Sequence, residues 1–275
     1  MEKIIDAIEK NSSIRAEEGD YYVDGLLYCH KCKTPKQAKI KVFGKVRTPF
    51  CMCKCEAEKR DREEEARQKE EQERRIRDLK RMGFPDAEMQ NWTFEKDDCK
   101  NSKISKVAHN YVENFREMYK QNKGLLFYGS VGTGKTFISS CIANELIDRG
   151  FPCLVTNFSR LTNTISGMWE GKQAYIDGLN DFSLLVIDDL ASERDTEYMG
   201  EIVQNIIDAR YRSGQPLIVT TNLTAEELKH PVEIRKQRIY SRLLEMCVPI
   251  EVTGIDRRKE KLKNDYDSMK KILEM

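Results

Sequence analysis

The sequence predicts an α/β domain built on a parallel sheet, with a smaller cysteine-rich module in front of it. From about residue 84 onward, short apolar runs of strand length alternate with stretches of helical periodicity, a pattern typical of βαβ units. The first of these runs, residues 125–128, leads directly into a glycine-rich turn. Upstream, five of the nine cysteines lie between residues 29 and 55, which indicates a separate small module.

Length and composition narrow the function classes. A chain of 275 residues suffices for one full α/β domain plus a smaller module. The formal net charge is only +1, so a uniformly basic nucleic-acid-binding chain is excluded and any such site has to be local. No run of about 18 apolar residues occurs, and the amino-terminal stretch lacks the apolar core of a signal peptide. We therefore expect a cytoplasmic protein without membrane contact.

The glycine-rich turn carries the strongest motif. It fits the pattern G-x-x-x-x-G-K-[ST] at every fixed position, between a predicted strand and a predicted helix. Backbone N–H groups of such a turn converge on an anion at a helix amino terminus, where the helix dipole favours negative charge. We expect Lys135 to reach the β- and γ-phosphates of ATP and the Thr136 hydroxyl to bind Mg²⁺. The predicted nucleotide-binding residues of the turn are Gly129, Ser130, Val131, Gly132, Thr133, Gly134, Lys135 and Thr136.

Two later strands supply polar residues at the same predicted sheet edge. The apolar run 184–187 ends in Asp188 and Asp189, which is a Walker B pattern. Asp188 is expected to hold Mg²⁺, and Asp189 to orient or deprotonate the attacking water unless it caps a helix. The run 216–221 ends at Asn222, which the carboxyl end of a parallel strand places beside a ligand. We expect Asn222 to hydrogen-bond the γ-phosphate or the water, with an ordinary turn residue as the alternative.

The clustered cysteines predict a metal site. Cys29 and Cys32 form a C-x-x-C pair, and Cys51, Cys53 and Cys55 follow as C-x-C-x-C after a predicted hairpin. Two such groups joined by a hairpin are typical of a small zinc ribbon. In a cytosolic chain this clustering favours Zn²⁺ over disulfides, while a redox pair or free thiols are the alternatives. Three cysteines compete for two ligand positions in the second group, and spacing does not choose among them.

A charged segment separates the module from the α/β domain. Its residues are mostly Glu, Lys, Arg and Gln, without Gly or Pro up to about residue 81. Opposite charges recur at helical spacing and no heptad seam is present, which predicts a solvated single helix that acts as a spacer. A specific binding surface is the alternative. The predicted domains are therefore a zinc-binding module (1–56), a helical linker (57–83) and a nucleotide-binding domain (84–275).

Several motifs occur together and in a familiar order. Besides the glycine-rich turn, the two aspartates and Asn222, the chain contains Thr93-Phe94, Asn144, the run 206–211 (IIDARY) and the run 240–243 (YSRL). This set resembles the DnaC/DnaI-type replicative helicase loaders and the related IstB-like ATPases, which belong to the initiator branch of AAA+ proteins. The resemblance covers residues 84–258. It implies a P-loop AAA+ core with a five-stranded parallel sheet and a reduced or absent lid.

The resemblance also implies a function. A member of this family would be an ATPase that loads the replicative DNA helicase onto single-stranded DNA during replication initiation. Arg242 fits the position of an arginine finger that acts on a neighbouring copy, with Arg238 beside it, and Asn222 fits the first sensor. Asp189 stands where many AAA+ proteins have glutamate, so we expect slow hydrolysis. An IstB-like transposition helper, or an ATP-binding adaptor without significant hydrolysis, is the alternative.

The amino-terminal cysteines and charged linker resemble the arrangement in phage and Gram-positive loaders. There a small zinc-containing domain contacts the hexameric helicase. The resemblance favours Cys29, Cys32, Cys53 and Cys55 as the Zn²⁺ ligands, with Cys51 in reserve. It would make residues 1–56 the helicase-interacting domain.

Three expectations concern single segments. The paired helices at 158–180 match the initiator-specific insertion, which in the family lies toward single-stranded DNA; Met168 or Trp169 should continue the buried face of the first helix. The aromatic pair Trp92 and Phe94 either flanks the adenine ring or packs in the core. Arg257 and Arg258 are candidates for a second sensor, and neither is assigned.

Overall fold

The computed structural model describes residues 16–42, 44–97, 102–191 and 196–257, together with 259, 266, 269, 270, 272 and 273. Arg258 lies outside these residues. The chain divides into two compact units, an amino-terminal unit (Met1–Arg74) and a carboxyl-terminal unit (Arg75–Met275). The domain boundaries expected at 56 and 83 stay predictions. Among the described helices, none combines the length and apolar character needed to cross a membrane.

The amino-terminal unit contains two small antiparallel hairpins. In the first, β1 (Tyr21–Val23) pairs with β2 (Leu26–Tyr28). In the second, β3 (Ile40–Val42) pairs with β4 (Lys45–Arg47), which confirms the hairpin predicted between the two cysteine groups. The described part of this unit buries few apolar side chains, so its core alone is small for a stable fold.

A buried ion pair joins the segments around the hairpins. Lys36 Nζ lies 3.0 Å from Asp20 Oδ2, and the two side chains are 2% and 1% exposed. Hydrogen bonds from the Glu17 N–H, from Lys36 and from His30 hold the pKa of Asp20 well below its usual range. Asp20 therefore stays ionised and neutralises the one lysine that this unit buries among its described residues.

The charged segment folds as one helix, α1 (Lys54–Gly83), as predicted. Its charge pairs are solvent-exposed, such as Lys59 with Glu63 at 3.7 Å, and each stabilises the helix by only about 0.3–0.5 kcal/mol. The helix ends at Gly83, where a Cβ would lie 2.4 Å from the carbonyl oxygen of Cys153. Only glycine permits this close approach, so the end of α1 is determined by packing as well as by local sequence. The role of α1 as a spacer stays a prediction.

The carboxyl-terminal unit is built on a five-stranded parallel sheet with the order β6-β7-β8-β5-β9, which confirms the predicted fold class. Its strands are β5 (Gly124–Tyr128), β6 (Cys153–Asn157), β7 (Leu184–Leu190), β8 (Leu217–Thr221) and β9 (Cys247–Glu251). All neighbouring strands run parallel. The central strands are almost wholly buried, as expected for a parallel sheet covered on both faces.

Helices cover the two faces of the sheet. They are α2 (Lys103–Glu113), α3 (Phe115–Lys120), α4 (Lys135–Asp148), α5 (Phe158–Ser166), α6 (Lys172–Gly178), α7 (Glu197–Ser213), α8 (Ala225–Lys229) and α9 (Ile234–Met246). One apolar cluster joins Leu126 and Leu185 to α5, α6, α7 and α9. A second joins Phe127 and Val186 to α2, α3 and α4. Successive strand residues thus serve opposite faces, as the period of two requires.

Met168 or Trp169 is expected to continue the buried face of α5; Met168 is half-buried, whereas the prediction for Trp169 is wrong. Phe158, Leu161 and Ile165 are buried as the spacing predicts, but Trp169 is 100% exposed. Helix α5 ends at Ser166 with Gly167 as its C-cap. Helical periodicity therefore no longer applies at residue 169, and the indole points into solvent.

A buried arginine braces the amino ends of two strands. Arg210 on α7 is 1% exposed, and its guanidinium donates hydrogen bonds to the carbonyl oxygens of Pro216 at 2.8 Å and Phe182 at 3.0 Å. A further hydrogen bond of 3.3 Å goes to the Leu179 carbonyl. Burial lowers the pKa of Arg210 to about 10, so the side chain keeps its charge at neutral pH.

We expect Arg210→Ala to destabilise the fold by about 3 kcal/mol, because several buried carbonyl oxygens lose their donor at once. Urea unfolding monitored by circular dichroism measures the loss. Arg212→Ala is the matched control, since Arg212 lies on the same helix and is exposed. Equal unfolding midpoints for the two variants would contradict a structural role for Arg210.

Candidate functional site

The glycine-rich turn connects β5 to α4. Gly129, Gly132 and Gly134 have φ angles of +132°, +80° and +93°, which glycine adopts without the penalty that a Cβ brings. The Thr133 hydroxyl donates to the Ser130 carbonyl at 2.9 Å and closes the turn. The 14-residue helix α4 therefore begins at the carboxyl edge of the sheet, where its amino terminus favours an anion.

Lys135 folds back onto the turn. Lys135 is only 6% exposed. Its Nζ donates to the carbonyl oxygens of Gly129 at 2.9 Å and Ser130 at 2.8 Å. Nζ also donates to Asn222 Oδ1 at 2.8 Å. Asn222 directly follows β8, the strand beside β5. The strand order thus brings these two predicted site residues into direct contact.

Asp188 is held at the same edge by two hydroxyl groups. Thr136 Oγ1 donates to the carboxylate with 2.9 Å to each oxygen, and Thr220 Oγ1 donates to Asp188 Oδ1. Burial raises the pKa of Asp188 and the Asp189 charge adds to the rise, while both hydroxyls and Lys135 oppose it. A divalent cation would favour the ionised carboxylate, and hydroxyl and carboxylate oxygens are ligands that suit Mg²⁺.

The backbone leaves regular strand geometry at Asp189. Its φ is +56°, and the register between β7 and β8 shifts between Ile187 and Leu190. The Asp189 N–H donates to Thr220 Oγ1 at 3.0 Å instead of continuing the ladder. Such irregularities re-aim side chains, and Asp189 lines the cavity above the glycine-rich turn.

That cavity has a volume of about 530 Å³. Its lining comprises Glu88, Trp92, Lys96, Asp189, Asn222, Arg257 and residues 131–137. Trp92 packs against Phe137 with ring centroids 5.8 Å apart, and Asn144 on α4 holds the Trp92 carbonyl at 2.8 Å. Phe94, in contrast, is buried and stacks on His109 at 4.0 Å. Of this aromatic pair, only Trp92 therefore faces the cavity.

The segment after β9 lies against the glycine-rich turn. The Arg257 N–H donates to the Gly132 carbonyl at 3.0 Å, and its guanidinium lies 3.8 Å from Asp97. A Cβ added to Gly132 would come within 1.9 Å of Asp256 Oδ1. Sequence reasoning missed Asp256, because no motif precedes or follows it.

Thr220 was also missed, although the sequence contained a signal. It lies in β8, two residues before Asn222, and β8 is the neighbour of the strand that carries Asp188. A threonine near the carboxyl end of an apolar strand is a candidate hydrogen-bond donor to a carboxylate on the adjacent strand, and Thr220 donates to Asp188.

Arg242 contacts residues of its own chain. Its guanidinium forms an ion pair with Asp208 on α7 and lies 5.9 Å from the centroid of the Tyr211 ring. About a third of the side chain, 34%, remains exposed. Arg238, one turn earlier on α9, is exposed. The structure does not bring Arg242 to the cavity of its own chain, so a finger role, which acts on a neighbouring copy, stays a prediction.

Four cysteines of the amino-terminal unit converge. The sulfur atoms of Cys29, Cys32, Cys53 and Cys55 all lie within 4.8 Å of one another. Cys55 Sγ is 3.6 Å from Cys29 Sγ and 3.4 Å from Cys53 Sγ, close to the separation of about 3.8 Å that tetrahedral Zn–S bonds of about 2.3 Å require. These residues could hold a zinc ion. Cys51 is not one of the four, and its thiol instead faces the Pro35 carbonyl at 3.7 Å.

Comparison with known proteins gives a consistent result. The family model described as IstB-like ATP binding protein matches residues 57–264. The replicative helicase loader DnaI of Bacillus subtilis (strain 168) is 23% identical over 201 residues, covering 67% of this chain and 64% of DnaI. The replicative helicase loader DnaC of Escherichia coli (strain K12) is 30% identical over 147 residues, covering 50% of this chain and 58% of DnaC. The chain thus spans about three fifths of the length of these relatives.

A solved structure shares the fold. The crystal structure of DnaI superposes with a TM-score of 0.53 at 24% sequence identity, covering 62% of this chain and 96% of that chain. At this identity the likeness establishes the arrangement of strands and helices.

We expect Gly132→Ala to weaken nucleotide binding and lower the melting temperature. The left-handed φ strains any Cβ by about 1–2 kcal/mol, and the new methyl group would collide with Asp256. Adding Asp256→Ala should relieve the collision and leave the strain. Gly150→Ala is the control for strain alone, because Gly150 has φ +86° and nothing within 4 Å of a built Cβ. A double variant no better than Gly132→Ala would contradict the contact with Asp256.

We expect Cys53→Ser to abolish zinc binding and Cys51→Ser to leave one zinc per chain. Of these two cysteines, only Cys53 belongs to the four-cysteine group. Elemental analysis of the purified full-length chain measures the metal content. Equal losses in the two variants would show that Cys51 also serves as a ligand.

Proposed function

This chain belongs to the IstB-like ATP-binding protein family, and on that basis we propose that it is an ATP-dependent loader of a hexameric replicative helicase. It would place the helicase on single-stranded DNA during replication initiation. The convergence of Lys135, Asp188 and Asn222 at one sheet edge carries the ATP dependence. The loader role is supported by two relatives that are named replicative helicase loaders.

In the proposed site, the glycine-rich turn binds the triphosphate. The N–H groups at the start of α4 and the Lys135 ammonium face the β- and γ-phosphates. Thr136 and Asp188 would hold Mg²⁺, which neutralises phosphate charge when bound. A γ-phosphate competes with Asn222 for Lys135 Nζ, now 2.8 Å from the Asn222 amide oxygen. Asn222 thereby senses whether the γ-phosphate is present.

Hydrolysis requires a water molecule oriented toward the γ-phosphate. We assign that task to Asp189, which the irregularity in β7 aims into the cavity, with Asn222 as a second hydrogen-bonding group. A short aspartate reaches less far than a glutamate, so turnover is slow. This property suits an ATPase whose bound state, rather than its rate of hydrolysis, organises an assembly.

Arg242 makes the ATP site depend on self-association. In a neighbouring copy, its planar guanidinium suits a phosphate that becomes more negative during hydrolysis. In the single chain, Asp208 and the Tyr211 ring hold Arg242 near its position on α9. The phosphate of the neighbouring copy replaces Asp208 as the counter-charge of Arg242. ATP binding and subunit contact therefore reinforce each other.

The loop between α5 and α6 supports contact with single-stranded DNA. Trp169 in this loop is fully exposed. Nearby, Lys172 Nζ lies 2.9 Å from the Tyr198 hydroxyl and 5.5 Å from the centre of its ring. Exposed aromatic rings beside a cation suit unpaired bases and their phosphates. We assign this surface of the carboxyl-terminal unit to DNA.

The cysteine group supports a structural zinc ion in the amino-terminal unit. Cys29, Cys32, Cys53 and Cys55 would hold it, and the bound ion supplies folding free energy that the small apolar core lacks. We assign contact with the helicase to this unit. Removing zinc should then release the helicase while ATP binding by the other unit persists.

Capture of a purified hexameric replicative helicase, taken from the cells in which this chain occurs, tests the proposal. We expect capture in ATP and transfer of the helicase to single-stranded DNA. Lys135→Ala should lower ATP affinity about 10- to 100-fold, since hydrogen bonds to a charged group contribute about 1.5–3 kcal/mol each, and should abolish transfer. Lys120→Ala is the control, because Lys120 is exposed on α3. Failure to capture the helicase in any nucleotide state would refute the loader, and ATP-dependent filaments on duplex DNA would indicate a transposition helper.

A further inference from the structure

The amino-terminal unit carries a concentration of positive charge that the proposed function does not use. Residues 25–55 contain eight lysine or arginine residues and no aspartate or glutamate. The formal charge of the whole chain is only +1, so the excess is local to this segment. Even a zinc ion held by four thiolates, with a formal charge of about −2, leaves the segment cationic. Local clustering of this kind is the electrostatic footprint of a nucleic-acid-binding surface.

The structure leaves most of these cations accessible. Lys36 is buried and paired with Asp20, so it contributes nothing to the field outside. The exposed members are Lys31, Lys33, Lys39, Lys41, Lys45 and Lys54. Lys41 lies directly opposite Val46 in the β3–β4 register, and both are exposed. One face of this hairpin therefore presents a cation and an apolar side chain to solvent.

Two tyrosines are exposed on the first hairpin. Tyr22 is 69% exposed and Tyr21 is 40% exposed. Neither ring is therefore buried in the core of the unit. Tyr21 is kept in place by stacking on Tyr28 of the paired strand, with ring centroids 5.9 Å apart and an interplanar angle of 25°. Tyr21 and Tyr22 are consecutive in β1, so their rings lie on opposite faces of the hairpin. Both rings remain accessible to solvent.

A hydrogen bond brings the two hairpins together. Lys39 Nζ donates to the Asp24 carbonyl oxygen at 3.0 Å. Asp24 lies in the turn between β1 and β2, two residues after Tyr22. The lysines at the start of β3 therefore lie beside the hairpin that carries the tyrosines. Among the neighbouring acidic residues, Glu17, Glu18 and Asp20 precede the first hairpin, Asp24 lies in its turn, and Glu56 lies in the first turn of α1.

We propose that Tyr21, Tyr22, Lys39 and Lys41 form a second binding site for single-stranded DNA. The lysine ammonium groups contact phosphates, and unpaired bases stack on the tyrosine rings. Single strands are favoured over duplex, because base pairing and stacking hide the faces that the tyrosines need. The site reads no base edges, so its sequence preference is weak. Salt should weaken binding steeply, since each neutralised phosphate releases counterions.

This site is distinct from the DNA surface assigned to α5 and α6. It would give the chain one contact with the strand in each unit. The inference rests on the amino-terminal unit alone, so it holds or fails independently of ATP binding and of helicase loading.

Photo-crosslinking of the full-length, zinc-loaded chain tests the site. The probe is an oligothymidylate with one 5-iodouracil, irradiated at low salt, and mass spectrometry locates the crosslinked residues. We expect crosslinks at Tyr21 or Tyr22. The double variant Tyr22→Ala/Lys41→Glu should reduce crosslinking at Tyr21 about tenfold, with unchanged zinc content and unchanged crosslinking at Trp169. Lys59→Glu on α1 is the charge-matched control, since Lys59 is exposed outside the site.

Three results would overturn the proposal. Crosslinks confined to the carboxyl-terminal unit would place all DNA contact there. A duplex competitor as effective as a single strand would exclude base stacking. Loss of helicase capture in the double variant, with the Tyr21 crosslinks intact, would show that this surface binds protein. If the double variant loses zinc, Lys41→Gln alone replaces it, with the same crosslinks and the same criteria. Crosslinks at Tyr22 without any helicase capture would support this site and refute the loader.

Discussion

The carboxyl edge of the parallel sheet depends on one buried carboxylate. Placing the charged Asp188 carboxylate there costs free energy, because burial and the neighbouring Asp189 both disfavour its charge. Two hydroxyl groups, from Thr136 and Thr220, offset that cost and draw three segments to the same point. These segments are the start of α4, the end of β7 and the end of β8. The order β7-β8-β5 makes the three adjacent. The strand order therefore brings the hydroxyl groups to the carboxylate that they stabilise.

Much of this arrangement could be predicted from the sequence, for physical reasons. Buried parallel strands appear as apolar runs, and each run that ends in a polar residue indicates the functional edge. That logic located Asp188 and Asn222, and the glycine-rich motif located Lys135; the structure places the three together. It could not find Asp256, because its contact with Gly132 comes from the path of the chain after β9. It failed for Trp169 because a helical period holds only while the helix continues, and α5 ends at Ser166.

The net charge of the chain does not reveal how its charges are distributed along the sequence. A net charge of +1 describes a chain in which a cationic module precedes a helix of mixed sign. Averaging over the whole sequence removes a local excess large enough to bind a polyanion. The buried pair of Lys36 and Asp20 shows the converse. There a formal charge counted in the sequence has no effect at the surface. Only the structure separates the two cases.

Arg210 stabilises the amino ends of the strands, whereas the candidate site lies at their carboxyl ends. Its guanidinium gathers carbonyl groups from the segments that enter β7 and β8, whereas phosphate-facing groups occupy the opposite edge. The Arg210 hydrogen bonds therefore stabilise the end of the sheet that lies away from the candidate site. A substitution at the carboxyl edge leaves the Arg210 hydrogen bonds in place, because they lie at the other ends of the same strands.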